Sequence, residues 1–196
     1  EALLSEKRPL PQKLPRIHIL EVSHMPQREM CACFTGHREL PRGEIPALRR
    51  ALDETLESAW RRGYRYFYNG GALGFDMLAA EGVLHLQQRH PDVKLEIDIP
   101  HAHQTDGWPT QERLRYERLV YLADVKHILS PLYYQGCYHV RNRFMVDRAS
   151  LCICEFVHSK GGTASTIAYA VQEGLTVVNL ALPSSWQSYV KENGVV

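Results

Sequence analysis

The amino-acid sequence predicts a three-layer α/β/α sandwich around a mainly parallel sheet of about six strands. Three observations predict it. Short apolar runs of strand length alternate with segments of helical period from residue 31 to residue 180. The links between successive runs are long enough to hold a crossover helix, as parallel pairing requires. Several runs end in glycine-bearing loops, and a parallel α/β sheet places its ligand contacts in the loops at the carboxyl ends of its strands.

The elements follow in order. Cys31–Thr35 (CACFT) is a short buried strand. Pro46 to Arg61 carries Leu48, Leu52, Leu56 and Ala59 or Trp60 at helical spacing, with Gly63 as a C-terminal cap. YRYFYN (residues 64–69) is the second strand, and the helix after its glycine loop stops before Pro91. KLEIDIP (94–100) is the third strand, and Thr110 to Ala123 is a helix with Leu114, Leu119 and Leu122 expected inward. VKHILS (125–130) is a fourth strand, and a short helix is expected over Val140 to Ala149. LCICEF (151–156), a loop and helix over 161–174, and LTVVNL (175–180) complete the pattern. Residues 1–24 carry clustered prolines and no period, so they read as a leader or flexible arm, native or introduced with the Ser23–Met25 stretch. Residues 25–196 then form one domain, which suits a chain of 196 residues with 44% apolar side chains.

Charge and cysteine usage narrow the function classes. The 23 basic and 22 acidic side chains leave a net charge of +1, which argues against nucleic acid or an anionic membrane as the partner. Local patches remain open, with Arg38, Arg42, Arg141, Arg143 and Arg148 near the informative loops. No apolar run has the length of a membrane span and no signal-peptide pattern is present, so a soluble, cytoplasmic protein is expected. The five cysteines include two C-x-C pairs inside strand-like runs, a spacing for buried free thiols and not for zinc or disulfides. His101 and His103 lack a third ligand in the sequence, so neither a metal nor a cofactor is expected.

Three loops at one predicted sheet edge carry chemistry. Thr35–Glu39 (TGHRE) sets a glycine among a hydroxyl, an imidazole and a guanidinium. Asn69–Asp76 (NGGALGFD) and Lys160–Thr166 (KGGTAST) each bring glycines to the start of a helix. Bare backbone and free amides at a helix N-terminus suit phosphate. Neither a P-loop nor the G-x-G-x-x-G of hydride-transfer enzymes is present. Asp76 is placed to meet a ribose hydroxyl or to cap its helix, Trp108 to stack on a base or to anchor packing, and Arg141 and Arg143 to meet phosphate or to form surface ion pairs.

These residues resemble the YpsA-like family of the SLOG superfamily of Rossmann-like domains. The resemblance rests on T-G-H-R after the first strand, G-G-A-L-G-F-D-x-x-A-A-E after the second, Gln104 and Trp108 after the third, R-N-R-F-M-V-D before the fifth and G-G-T-x-x-T-x-x-Y-A before the sixth. It implies a Rossmann-like fold and a pocket for a nucleotide-type ligand lined by Gly36, Arg38, Gly70, Gly71, Gly74, Asp76, Gly161, Gly162 and Thr163. Thr35, His37, Trp108, Arg141 and Asn142 complete the candidate ligand-binding set. The superfamily also holds the LOG phosphoribohydrolases and part of the DNA-processing protein DprA, and YpsA-like proteins have been connected with cell division in Gram-positive bacteria.

One departure shapes the functional expectation. LOG enzymes carry a glutamate three residues after the threonine of their glycine motif, and this chain has Thr166 there. A threonine neither stabilises positive charge on ribose nor activates water. The expectation is therefore a binding or sensing domain that responds to a nucleotide-type ligand, regulatory in role, with a protein partner to receive the signal. Exposed aromatics Tyr133, Tyr134 and Tyr138 suit either self-association or a loop over the ligand. The alternative is an N-glycoside hydrolase acting on a nucleoside monophosphate, with Asp76 or Glu155 as carboxylate and His37 as acid or base.

Overall fold

Central strands buried on both faces at nearly every position and period-3.6 burial along the helices build the layers. The computed structural model describes residues 26–157 and 160–181; the expected arm at 1–24 lies outside the described residues. After a 3-10 turn at Arg28–Met30, the order is β1 (Cys31–Gly36), α1 (Ile45–Arg61), β2 (Tyr66–Asn69), α2 (Phe75–Arg89), β3 (Lys94–Ile99) and α3 (Thr110–Leu122). Then come β4 (Val125–Ile128), α4 (Cys137–Asp147), β5 (Leu151–Glu155), α5 (Gly162–Gln172) and β6 (Thr176–Asn179).

The six strands form one sheet in the order β4-β3-β2-β1-β5-β6, and every pairing is parallel. The chain steps outward from β1 to β4, returns, and lays β5 against the other side of β1. The switch in strand order thus falls between β1 and β5, where Thr35 pairs with Cys154 and Gly36 with Glu155. The loops leaving these two strands diverge there and open a crevice.

Alternation sorts the side chains. Ala32, Phe34, Phe67, Leu95, Ile97 and Ile153 pack with Leu52, Leu56 and Phe75 of the α1–α2 layer. Cys31, Cys33, Tyr68, Cys152 and Cys154 pack with Met145, Val146, Ile167 and Ala170 of the α4–α5 layer. All five cysteines are buried and free. Burial of each large aliphatic side chain contributes about 1.5–3 kcal/mol, so Leu52 and Leu56, both fully buried, anchor α1 firmly.

Two expectations need correction. Leu114 and Leu122 of α3 are 58% and 44% exposed, and the inward stripe is Tyr116 with Leu119. The cause is position: α3 packs on α2 beside the sheet margin and leaves most of its own surface uncovered. α4 starts at Cys137, earlier than the apolar pattern implied, because Gly136 at φ 95° turns the chain directly into it.

Candidate functional site

The crevice at the β1/β5 switch is a cleft of about 330 Å³, and it gathers residues from four loops or helix starts. Thr35, Gly36, His37 and Arg38 come from the end of β1, Ala72 and Asp76 from the start of α2, Tyr138, Arg141 and Asn142 from α4, and Lys160 to Thr163 from the start of α5. Ten of these belong to the set chosen from the sequence: Thr35, Gly36, His37, Arg38, Asp76, Arg141, Asn142, Gly161, Gly162 and Thr163.

The first turn of α5 forms one wall. Gly161, at φ 99°, precedes the helix, and neither Gly161 nor Gly162 would place an added Cβ within 4 Å of another atom. These are glycines that face open space, beside amides that an α-helix leaves without internal partners. Thr163 Oγ1 donates to the Gly36 carbonyl at 3.0 Å and so ties α5 to the end of β1. Thr166 Oγ1 donates to the Gly162 carbonyl at 2.8 Å and accepts from Asn142 Nδ2 at 2.7 Å. Its hydroxyl therefore links α4 to α5, and no carboxylate stands at that point.

The opposite wall is charged and mostly dry. Asp76, 5% exposed, accepts from the Ala72 N–H at 3.3 Å, and Arg141 Nη1 stands 4.0 Å from its Oδ2. Burial pushes the Asp76 carboxyl above the usual carboxylate range, while Arg141, the Ala72 amide and Arg38 pull it back. Arg141 is itself buried; it donates to the Gly70 carbonyl through Nη1 and to Asn142 Oδ1 at 2.7 Å through Nε. Arg38 is exposed and its guanidinium lies 5.3 Å from the centre of the Tyr138 ring.

His37 is held by its neighbours. Its N–H donates to Glu155 Oε2 at 3.0 Å, its carbonyl accepts from the Phe75 N–H at 3.0 Å, and its Nε2 accepts from the Val157 N–H at 3.2 Å. This assigns the ring proton to Nδ1. Glu155, 3% exposed, thus fixes the β1 loop from behind. It lines a separate cavity of about 400 Å³ with Leu40, Ile45 and Leu180, and it does not enter the cleft.

Four further candidates lie outside the cleft lining. An added Cβ at Gly70 would stand 1.7 Å from Arg141 Nη1, one at Gly71 2.9 Å from the Tyr116 ring, and one at Gly74 2.3 Å from the Arg38 carbonyl. The Gly71 N–H is bonded to Asn69 Oδ1 at 2.7 Å. The bareness of the second loop thus serves close protein packing. Trp108 packs edge-on to Tyr116, ring centres 5.5 Å apart.

The structure adds to the residues chosen from the sequence. Tyr138, named there among the exposed tyrosines, and Lys160, at the head of the third loop, both line the cleft. Glu96, Asp98 and His127 bring their ligating atoms within 4.8 Å of one another on β3 and β4. Arg148, expected near the loops, donates instead to Glu96 and Asp98 at 2.5 Å each. Its charge fills the role a cation would have there. The alternation E-x-D on β3 (Glu96, Asp98) carried that signal, because two carboxylates on one buried strand face demand cationic partners.

Comparison with known proteins gives the family and the fold. The family model described as the YspA SLOG family (YpsA) matches residues 33–176. The chain belongs to that family. UPF0398 proteins of Bacillus thuringiensis (strain Al Hakam) and Bacillus cereus (strain Q1) are each 24% identical over 131 residues, which cover 66% of this chain and 71% of theirs. Among solved structures, DNA processing protein A from Streptococcus pneumoniae superimposes with a TM-score of 0.56 at 17% identity, covering 82% of this chain and 56% of that one. The chain thus spans little more than half of the pneumococcal protein. DNA processing protein A from Helicobacter pylori, described for its single-stranded DNA binding mode, gives 0.54 at 15% identity, covering 86% and 74%. At these identities this chain shares the Rossmann-like fold with both. No helix among the described residues is long and apolar enough to cross a membrane.

Proposed function

We propose that this YpsA-family chain binds a phosphate-bearing, nucleotide-type ligand in the β1/β5 cleft and acts as a regulatory sensor. The observation that carries the reading is the first turn of α5. Gly161 and Gly162 leave open space beside the helix amides, with Lys160 and Arg38 on the same cleft. Helix amides and flanking cations together favour an anion. Thr35 and Thr163 add hydroxyls, and Arg141 with Asp76 forms a polar wall facing the sugar. The chemistry weighs against turnover: Thr166 is hydrogen-bonded within the protein, and Glu155 is turned away from the cleft. A regulatory role requires a partner to read the bound state, and a protein partner or a second copy of the chain is part of this proposal.

The second reading is hydrolysis of an N-glycosidic bond, and one observation favours it. Asp76 is a buried cleft carboxylate whose proton is held more tightly than usual, a property suited to acid–base chemistry. Single-stranded DNA, bound by the Helicobacter pylori relative in fold, is a third reading; the net charge of +1 weighs against it.

Calorimetric titration with inorganic phosphate, ribose 5-phosphate and nucleoside monophosphates tests the proposal, followed by chromatography of each mixture. Binding of an intact nucleotide that is lost in Lys160→Ala and Arg38→Ala supports the sensor. Release of free base that stops in Asp76→Asn establishes the hydrolase. Absence of binding by every phosphate-bearing probe sinks both.

A further inference from the structure

The loop after β3 contains two buried polar atoms without a hydrogen-bond partner among the described residues, His101 Nδ1 and Gln104 Oε1. The two residues are 5% and 4% exposed. They share one turn, since the Gln104 N–H donates to the His101 carbonyl at 3.1 Å. Their other ends are engaged. Gln104 Nε2 donates to the Gly71 carbonyl at 3.1 Å and to the Gly70 carbonyl at 3.4 Å. Two carbonyl acceptors fix the amide with its nitrogen on that side, so its oxygen is the end left over. His101 Nε2 lies 3.3 Å from the Tyr138 hydroxyl. Leaving a buried polar group unpaired costs about 1–3 kcal/mol, and two such groups in one turn call for an explanation.

Both residues are bonded through their other ends to the backing of the cleft wall. Tyr138, bonded to His101, lines the cleft, and so does Arg141, which shares the Gly70 carbonyl with Gln104. Gly136, at φ 95°, stands two residues before Tyr138, and Leu132, Tyr133 and Tyr134 ahead of it are exposed. The approach is aromatic. The His101 ring meets Tyr133 and Tyr138 edge-on, with centres 5.4 and 5.7 Å apart. The amide oxygen requires an N–H donor, and the imidazole nitrogen donates or accepts according to its tautomer. A flat heterocycle with an N–H beside a second polar atom carries a partner for each and packs well against aromatic rings.

We propose that His101 and Gln104 read the base of the ligand, which enters when Tyr138 turns aside, and that this ligand is a nucleotide whose base presents an N–H to the Gln104 amide oxygen. The proposal rests on the phosphate site described above. A sugar phosphate alone would leave both atoms unpaired.

Calorimetric titration of the full chain with ribose 5-phosphate and with AMP, CMP, GMP and UMP tests it. The expected result is one nucleotide that binds at least ~10-fold tighter than ribose 5-phosphate. That preference falls to within about threefold in His101→Ala or Gln104→Ala, with the affinity for ribose 5-phosphate unchanged. The ligand-side control needs no variant and stands if those proteins fail to fold. The best nucleotide is compared with its analogue lacking the edge N–H, purine riboside 5′-monophosphate for AMP or 3-methyl-UMP for UMP. Equal binding of that pair overturns the proposal, as does a preference that survives both substitutions; a buried water then occupies the turn. Ribose 5-phosphate binding with no gain from any base overturns this inference and leaves the phosphate site standing. No binding by any probe overturns the phosphate site and this inference with it.

Discussion

Gly70 and Gly162 read alike in the sequence, each in a glycine pair before a helix, and the structure separates them. A Cβ at Gly70 would meet Arg141 Nη1 at 1.7 Å and Asp76 Oδ2 at 2.7 Å, whereas one at Gly162 meets nothing within 4 Å. Gly70→Ala therefore displaces the buried guanidinium, and overpacking of that kind costs about 1–3 kcal/mol. Gly162→Ala is expected within about 1 kcal/mol of the wild type in urea unfolding, since the site is open and alanine suits a helix. Ligand affinity should fall in both, for different reasons: a moved Arg141 in one, a methyl against the phosphate in the other. Asp76 gives a second residue-scale prediction. Its folded proton affinity is raised by burial, so its contribution to stability is complete below the ordinary carboxylate range and is lost as pH rises through the raised value. Asp76→Asn removes that loss. The variant should be more stable than the wild type at neutral pH, with the difference fading in acid denaturation series, while ligand binding weakens. A stability difference from the wild type no larger at pH 7 than at pH 3 would show that Arg141 fully offsets the burial.

At the scale of elements, α4 carries much of the site. Arg141 lies within it and Arg148 caps its end; one enters the cleft and the other clamps the Glu96–Asp98 pair on β3. The Asp98 side chain is fully buried and that of Glu96 is 13% exposed. Arg148→Met would leave two carboxylates with only His127 as cation. Breaking a buried pair in this way costs about 3–5 kcal/mol, and α4 should loosen, with hydrogen exchange accelerating along Cys137–Asp147. His127 sets the pH dependence of the cluster. Its proton affinity is raised above the ordinary value of 6.5, chiefly by the hydrogen bond to Asp98. Its stabilisation is therefore complete below pH 6.5 and is lost as pH rises through the raised value. His127→Gln should flatten that decline in thermal unfolding between neutral and mildly alkaline pH. The elements themselves were legible because apolar period is written into short segments: Leu48, Leu52, Leu56 and Ala59 face the core as their spacing requires. The facing of α3 was not, because Leu114 and Leu122 have apolar neighbours in sequence but only α2 beside them in space. Arg148 was read as a loop arginine for the same reason: its partners lie 50 and 52 residues away.

Across the whole molecule, the alternation of strand and helix dictated parallel layers, but strand order decided where the loops converge. The β1/β5 switch joins residues from Phe34 to Thr163 in one cleft. The sequence placed three glycine loops at that edge and could not show that the glycines of the first and third line the cleft while those of the second pack against protein and leave Ala72 and Asp76 to line it. It marked His101 only as half of an H-x-H and Gln104 only as part of the family motif, because their unpaired atoms exist only once the backbone around them is closed. The same scale separates a small ligand from a nucleic acid. With 23 basic and 22 acidic side chains, the molecule has little net field, and the positive character of the cleft comes from Arg38, Lys160 and the α5 amides. A nucleotide neutralised there should lose affinity gently with salt, in proportion to its one or two phosphates. A single strand tracked across the surface releases counterions at every phosphate it contacts, with a slope of about −0.7 per phosphate in log K against log salt. Fluorescence titration of a labelled nucleotide and of a labelled oligonucleotide from 50 to 200 mM salt measures both. The cleft reading expects the oligonucleotide to bind no more tightly than the nucleotide and with no steeper slope, because only one end of it enters. A slope several-fold steeper, retained in Lys160→Ala, would assign binding to an extended surface outside the cleft and make nucleic acid the ligand.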